Sequence, residues 1–110
     1  MRKLLLGFSL IIASVTTNAI VVDGDYTCMQ MFYDHGLTTT AANKCKLKYV
    51  NSDIKPQTQK CFALARQTGQ QAELRNALAN GVKTFAEAYS DNKKLSCERA
   101  LLDFPDYLDK

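Results

Sequence analysis

Four cysteines are the residues of this 110-residue chain whose type and spacing most restrict its chemistry: Cys28, Cys45, Cys61 and Cys97. No two of them form a Cys-x-x-Cys pair, so the pattern is not that of a dithiol oxidoreductase. Their spacing does not fit a zinc cluster, and the chain offers only one histidine as a further ligand. We therefore interpret the four cysteines as two structural disulfides and expect neither a metal nor a cofactor.

His35 is the one side chain whose ordinary pKa lies near neutral pH. Asp34 precedes it, and an imidazole oriented by a carboxylate could act as a general base in a small hydrolase. The neighbouring Tyr33 and Gly36 match no nucleophile-elbow or zinc-protease pattern. We favour a solvent-facing histidine at a helix end, assign no catalytic residue and expect a protein that is not an enzyme.

Five lysines surround a predicted turn between the first two helices, with Asp53 as the only acidic residue among them. They are Lys44, Lys46, Lys48, Lys55 and Lys60. Most charge runs of this kind are simply solvated faces. The functional alternative is a basic knob suited to an acidic protein groove or to anionic head groups, which would affect the rate of encounter and its salt dependence more than the affinity. These lysines are our candidates for contact with a protein partner.

The first 19 residues have the composition of a secretory signal peptide. Met1-Arg2-Lys3 is a positively charged start, Leu4 to Val15 is an apolar run, and Thr17-Asn18-Ala19 supplies small residues before the cleavage point. The apolar run is too short to cross a bilayer comfortably. We predict a signal peptide over 1–19 and one domain over 20–110, secreted or periplasmic and without stable membrane insertion. An uncleaved leader that acts as an anchor is the alternative.

The charge balance argues against nucleic acid as a partner. The formal charge of +3 includes Arg2 and Lys3, which would leave with the leader. The remaining chain is then nearly neutral, whereas a nucleic-acid-binding domain is expected to be clearly basic. The Asn-x-Ser/Thr glycosylation pattern is also absent from the sequence. This absence fits a bacterial periplasmic protein slightly better than a eukaryotic secreted one.

Apolar residues recur at helical spacing along most of the chain, and only Ile20-Val21-Val22 looks extended. The first helical segment runs from about Asp25 to Tyr49. Gly36 either bends this segment or divides it, and we favour one helix. Its apolar stripe has a spacing of four residues and consists of Met29, Tyr33, Leu37, Ala41, Cys45 and Tyr49.

The remaining helices are separated by turn residues. Asn51-Ser52-Asp53 is a turn that can cap a second helix. A break near Gly69 precedes a third helix, and a polar loop over 90–94 precedes a last one, capped by Ser96 and ended by Pro105. The sequence therefore predicts an all-α fold, a small bundle of three to five mostly antiparallel helices stapled by two disulfides.

Four cysteines allow three pairings, and the helix pattern favours one of them. Cys28 and Cys45 would lie about 25 Å apart on one helix, too far for a bridge. In an antiparallel hairpin that turns at Ser52-Asp53, Cys45 would meet Cys61. We therefore favour Cys45–Cys61 with Cys28–Cys97, and keep Cys28–Cys61 with Cys45–Cys97 as the alternative. A full break at Gly36 would restore the third pairing.

In size and architecture the chain is similar to small secreted bacterial helical proteins with paired cysteines, a group that includes immunity proteins, secretion pilotins and stress chaperones. No motif carries this likeness. We expect a non-enzymatic protein-binding module, such as an inhibitor or immunity-type protein, that recognises an unidentified protein partner. The alternative is a periplasmic stress chaperone, pilotin or envelope assembly factor. Association into a homodimer is left open.

Overall fold

The protein, taken from a computed structural model, is described over residues 21–23 and 26–110, with side chains from residue 27 onward. The predicted signal peptide over 1–19 lies outside the described residues. The described helices are α1 (Cys28–Cys45), α2 (Ile54–Thr68), α3 (Gln71–Asp91) and α4 (Lys93–Asp103). Two antiparallel pairs of short strands accompany them, β1 (Val21–Asp23) with β2 (Tyr26–Thr27), and β3 (Lys48–Tyr49) with β4 (Leu108–Asp109). The predicted all-α, disulfide-stapled bundle is confirmed. None of the helices in the described ranges is long and apolar enough to span a membrane.

Helix α1 begins and ends at local signals in the sequence. The Thr27 hydroxyl accepts the Gln30 amide N–H at 3.2 Å, and Gln30 Oε1 accepts the Thr27 amide N–H at 3.0 Å. This reciprocal pair is a capping box. Lys46 then adopts a left-handed conformation with φ of 57° and ends the helix. One helix therefore runs through Gly36, as predicted, but it ends at Cys45 and does not reach Tyr49.

Helices α1 and α3 form the main helix pair, and they run parallel. The Tyr33 hydroxyl donates to Thr84 Oγ1 at 3.0 Å, and further along both helices the Tyr89 hydroxyl donates to the Lys44 carbonyl at 3.4 Å. Gly36 lies against the backbone of α3 at Leu78 and Val82. The predicted antiparallel arrangement is therefore wrong for α1 and α3. Glycines at the crossing let the two backbones approach more closely than side chains would allow.

The parallel pair decides how the cysteines join. After α1 ends at Cys45, the chain must return to the start of α1 before α3 can begin there. Helix α2 lies on that return path, and Cys61 bonds to Cys28 with a Cα–Cα distance of 5.7 Å. Helix α4 follows the far end of α3, and Cys97 bonds to Cys45 with a Cα–Cα distance of 5.8 Å.

The favoured pairing of Cys45–Cys61 with Cys28–Cys97 is therefore wrong, and the alternative pairing is the one in the structure. The error came from the assumed antiparallel hairpin of α1 and α2. The turn at Ser52-Asp53 is not where these helices fold back on each other, because the strand β3 already separates them.

Each disulfide belongs to one of two core clusters. The first cluster surrounds Cys28–Cys61 and includes Met31, Leu74 and Ala77. The second lies toward the other end of α1, is lined by Cys45, and has a buried centre made of Ala41, Phe85, Ala100 and Leu108. The predicted stripe on α1 is correct for Ala41 but wrong for Met29, which is 42% exposed. A strict spacing of four residues drifts around a helix that has 3.6 residues per turn.

The connection between α3 and α4 is a single residue. Asn92 accepts the Leu95 amide N–H through its side chain at 3.0 Å and caps α4. The predicted loop over 90–94 is therefore wrong, since residues 90–91 belong to α3 and residues 93–94 to α4. Ser96 is not a helix cap but an interior residue of α4, with only 9% of its surface exposed.

The C-terminal residues are part of the fold. In β4, Leu108 pairs with Tyr49 and Asp109 with Lys48, and the Val50 amide N–H donates to the Tyr107 carbonyl at 2.8 Å. Leu108 is 3% exposed and belongs to the second core cluster. Nothing in the sequence pattern predicted this pairing, because two-residue strands carry no periodic signal.

Candidate functional site

A groove between α3 and α4, which we call the α3–α4 groove, is the main concave apolar surface that we consider as a site. It has a volume of about 350 Å³. Helix α1 contributes Leu37 to it, and the two walls contribute the other apolar side chains: Phe85, Ala88, Leu95, Ala100 and Phe104. Leu95 is 52% exposed, so the groove keeps an apolar surface in contact with water. Its volume falls at the lower end of the range typical of ligand sites.

Polar side chains occupy defined positions around this groove. Asp91 lies at the end of α3 and Asp103 at the end of α4, while Arg99 stands between them along α4. Arg99 and Asp103 form an ion pair at 3.8 Å, and their side chains are 65% and 52% exposed. An exposed pair of this kind is worth at most about 1 kcal/mol. The groove thus carries two carboxylates against one guanidinium.

Ser96 lies in the wall of the groove, on the turn of α4 next to the disulfide cysteine Cys97. Its side chain lines the groove although the residue is only 9% exposed. Its backbone N–H donates to the Asn92 carbonyl at 3.0 Å. Within residues 27–110, the Ser96 hydroxyl makes no hydrogen bond of its own. A buried hydroxyl without a partner is costly, which makes this position unusual in the fold.

A second cleft lies between α1 and α3, near the start of both helices. It has a volume of about 590 Å³ and is lined by Tyr33, Asp34, Glu73 and amide side chains, with Met29 at its edge. Its lining is more polar than that of the α3–α4 groove. We do not assign a ligand to it.

The predicted hydrolase pair, Asp34 and His35, lies in a hydrogen-bonded network rather than in a catalytic arrangement. His35 Nδ1 lies 3.0 Å from the Tyr49 hydroxyl, which lies 3.0 Å from Thr38 Oγ1. The Thr38 hydroxyl donates to the Asp34 carbonyl at 2.7 Å. Because each hydroxyl has one hydrogen, Tyr49 then donates to Thr38, and His35 donates to Tyr49 from a protonated Nδ1.

This network ties α1 to β3 and so to the C-terminal strand. Burial lowers the pKa of His35 below its ordinary value. Burial also raises the pKa of Tyr49 to about 12. This rise is opposed by Thr38, whose hydroxyl can turn to donate a hydrogen bond to the ionised Tyr49 oxygen, and is reinforced by Tyr107 and Asp34. Both shifts favour the neutral side chains in the folded protein. The expected solvent-facing histidine at a helix end is wrong, since His35 is half-buried in the middle of α1.

The five predicted partner-binding lysines do not form one cluster. Lys60 precedes Cys61, which is bonded to the start of α1, whereas Lys44 precedes Cys45 at its end. These two positions are separated by about 25 Å along the helix. Lys55 is an exposed residue on α2, with Lys60. The basic knob made of all five lysines is therefore wrong.

Lys44, Lys46 and Lys48 remain together near the end of α1. Lys44 Nζ lies 5.3 Å from the centre of the Tyr89 ring, and Lys93 Nζ lies 5.8 Å from the same ring. Lys46 ends α1, and Lys48 pairs with Asp109 in the β3–β4 ladder. Sequence analysis missed Lys93 as a neighbour of Lys44 because they are far apart in the chain and meet only through the parallel helices.

Comparison with known proteins gives no relative: no family, no curated protein and no solved structure matches this chain. Among the described residues, no three His, Cys, Asp or Glu side chains are grouped so that they could hold a metal ion. The candidate site is an apolar groove with carboxylates at its ends and the Ser96 side chain in its wall. Sequence analysis missed this site because Leu95 fell between the predicted loop over 90–94 and Ser96, which was interpreted as a helix cap.

Proposed function

We propose that this protein is a small exported binding module that recognises a protein partner through the α3–α4 groove and catalyses no reaction. The observation that carries the proposal is the half-exposed Leu95 beside an apolar groove, with the buried Ser96 hydroxyl in its wall. Apolar surface left open to water in a small domain is typical of interaction sites. An inhibitor or an immunity-type protein fits this description.

The disulfides support a binding role because they hold the groove in shape. Cys45–Cys97 joins the end of α1 to α4 one residue after Ser96, and Cys28–Cys61 fixes α2 against the start of α1. A wall that is already fixed loses less conformational entropy when a partner binds. Two disulfides are also typical of proteins in oxidising, extracytoplasmic compartments. This agrees with export directed by the apolar leader over 1–19.

The test is a stoichiometric complex whose affinity depends on the groove. The processed protein is used to capture and identify a partner from an extracytoplasmic extract, and binding is then measured by calorimetry with the purified partner. Leu95→Gln is expected to weaken binding at least tenfold, because the groove loses an apolar contact. Leu102→Gln is the matched control, since Leu102 is 75% exposed on the same helix and does not line the groove. Equal losses in both variants, or no partner that binds more tightly than about 10 μM, would contradict the proposal.

A second candidate function is a stress chaperone or an envelope assembly factor, including a pilotin. The exposed apolar side chains outside the groove favour it, since Leu102, Val50 and Met29 are 75%, 46% and 42% exposed. A chaperone would use such side chains to hold unfolded clients. It should suppress the aggregation of a reduced client protein at equimolar ratio, and Leu102→Gln should weaken that effect as much as Leu95→Gln does. A wild-type protein that does not suppress aggregation of the client would contradict the chaperone function.

A further inference from the structure

We infer that the occupant of the α3–α4 groove is a cationic amphipathic helix of about three turns, presented by the partner with apolar side chains toward Leu95 and basic residues near its two ends. This inference rests on the proposed function and specifies the chemistry of the partner. It depends on three features of the groove, which are its length, its charges and its buried hydroxyl.

The shape of the groove fits the side chains of one helix. Its walls are α3 and α4, and α4 has 11 residues. At 1.5 Å per residue, this wall is about 16 Å long, which corresponds to about three turns of a helix laid along it. An amphipathic helix in an apolar groove presents anchors at every third or fourth position. The volume of about 350 Å³ accommodates a few such anchors and not a whole second domain.

The charges at the groove favour a basic occupant. Asp91 makes no ion pair among the described residues, and Asp103 has only its weak, exposed pair with Arg99. These carboxylates lie near the two ends of α4. Asp91 is the last residue of α3, just before α4 begins, and Asp103 is the last residue of α4. Lysines or arginines about three turns apart on the occupant could reach both. Acidic residues at the same positions would meet two like charges and one guanidinium.

The Ser96 hydroxyl supplies a polar contact beside the apolar side chains of the wall. Ser96 as a residue is 9% exposed, and its hydroxyl has no hydrogen-bond partner in the part of the chain that the structure describes. An occupant with one polar side chain among its apolar anchors would satisfy this hydroxyl. Leaving such a group unpaired costs about 1–3 kcal/mol, so the groove selects against an entirely aliphatic occupant.

The probe is a 14-residue leucine–lysine peptide designed as an amphipathic helix, with one central serine on its apolar face. A leucine–glutamate peptide with identical leucine and serine positions is its charge-reversed counterpart. Binding to the processed protein is measured by fluorescence anisotropy at low salt. We expect one leucine–lysine peptide per protein, bound at least tenfold more tightly than its counterpart.

Variants of the protein locate the binding site. Leu95→Gln is expected to weaken binding of the leucine–lysine peptide at least tenfold, and Leu102→Gln is expected to weaken it less than twofold. Asp91→Asn with Asp103→Asn is expected to remove most of the preference for lysine over glutamate. Asp106→Asn is the charge control, because Asp106 is exposed and does not line the groove. Circular dichroism of each variant checks that the fold is retained.

Four outcomes with the purified protein and the two peptides would overturn the inference. They are equal binding of the two peptides, binding that is insensitive to Leu95→Gln, no binding of either peptide at 1 mM, and a homodimer that Leu95→Gln dissociates. In the last case a second copy of the chain would be the occupant. An identified partner that needs Leu95 but carries acidic residues at the contact would overturn the inference and leave the proposed function standing. If no partner is found for the protein, the proposed function itself is contradicted.

Discussion

Gly36 of α1 and Gly81 of α3 each lie against the backbone of the other helix at the point where the two helices cross. A Cβ atom at Gly36 would overlap the Leu78 carbonyl and lie 3.2 Å from the Val82 amide nitrogen. A Cβ atom at Gly81 would overlap the Tyr33 carbonyl and lie 2.8 Å from the Leu37 amide nitrogen. The crossing therefore depends on the absence of two side chains, and both positions are fixed by rigid backbone.

Alanine at either glycine is expected to destabilise the fold, although alanine is the better helix former. The added methyl group must push two backbones apart, at a cost of about 3 kcal/mol or more in the free energy of unfolding. Urea denaturation followed by circular dichroism measures this cost. Gly69→Ala is the control, since Gly69 has open space around it. Alanine at this position is destabilised only by the φ of 73°, at a cost of about 1 kcal/mol. A Gly36→Ala variant as stable as Gly69→Ala would contradict the close crossing.

The helical content of this chain could be predicted from its sequence, whereas the arrangement of the helices could not. The apolar spacing and the turn residues near Asp53 and Gly69 are local signals, and each lies near a helix boundary. Gly36 was correctly placed inside one helix, but its contact with the backbone of α3 could not be read from the local sequence. The parallel direction of α1 and α3 is a tertiary property, and the incorrect disulfide pairing followed from the assumption that α1 and α2 form a hairpin at Ser52-Asp53.

The candidate site was less predictable for a similar reason. The α3–α4 groove depends on a one-residue connection at Asn92, which places Leu95 and Ser96 on a helix wall. A polar run of five residues is typical of a loop, so the sequence pattern pointed away from this geometry. The lysines around Asp53 are close in the sequence, but the strand β3 and the path of α2 separate them in space. Sequence proximity was therefore a poor guide to the surface.

The disulfide connectivity has a direct chemical test. Proteolysis of the protein without reduction should release a peptide pair that contains Cys28 and Cys61, and a second pair that contains Cys45 and Cys97. Mass spectrometry before and after reduction identifies both pairs. A pair that joins Cys45 to Cys61 would contradict the parallel arrangement of α1 and α3.

The two disulfides should contribute comparably to stability through the unfolded chain. They span 33 and 52 residues, and the loop-closure relation gives about 4 kcal/mol for each. Replacing Cys28 and Cys61 with alanine should cost more than replacing Cys45 and Cys97, because the first pair is 1% and 2% exposed in the core. Thermal denaturation of the two double variants measures the difference. A smaller loss for the first pair would contradict this ranking.

His35 should titrate below its ordinary pKa of 6.5, because burial disfavours the charged imidazole. The folded state then binds fewer protons than the unfolded state just below pH 6.5. The stabilisation is complete above that pH and is lost as the pH falls through the pKa of the folded protein. As the chain has one histidine, its proton NMR signals report this pKa directly. His35→Gln should flatten the change in unfolding free energy between pH 7 and pH 4, and an unchanged slope would contradict the prediction.

Leu108 should be essential to the second core cluster although it is the third residue from the C-terminal end. It is 3% exposed and packs in the cluster that contains Phe85 and Ala100. Leu108→Ala is expected to lower the free energy of unfolding by about 2–4 kcal/mol, through lost burial and the cavity left behind. Leu102→Ala is the matched control, since Leu102 is 75% exposed and should lose less than about 0.5 kcal/mol. Equal losses would mean that the C-terminal strand is not packed against the helices.

Ser96→Ala should stabilise the free protein, since it removes a hydroxyl that is buried without a partner. The expected gain is about 1 kcal/mol in the free energy of unfolding, which raises the melting temperature of a domain of this size by about 4–8 °C. Alanine is also the better helix former, and Ser90→Ala in α3 measures that smaller gain alone, because Ser90 is exposed. Stability that falls in Ser96→Ala would mean that the hydroxyl is already satisfied in the free protein. A hydroxyl that is already satisfied would not favour a polar side chain on the occupant of the groove. This variant therefore tests both the free protein and the inferred occupant.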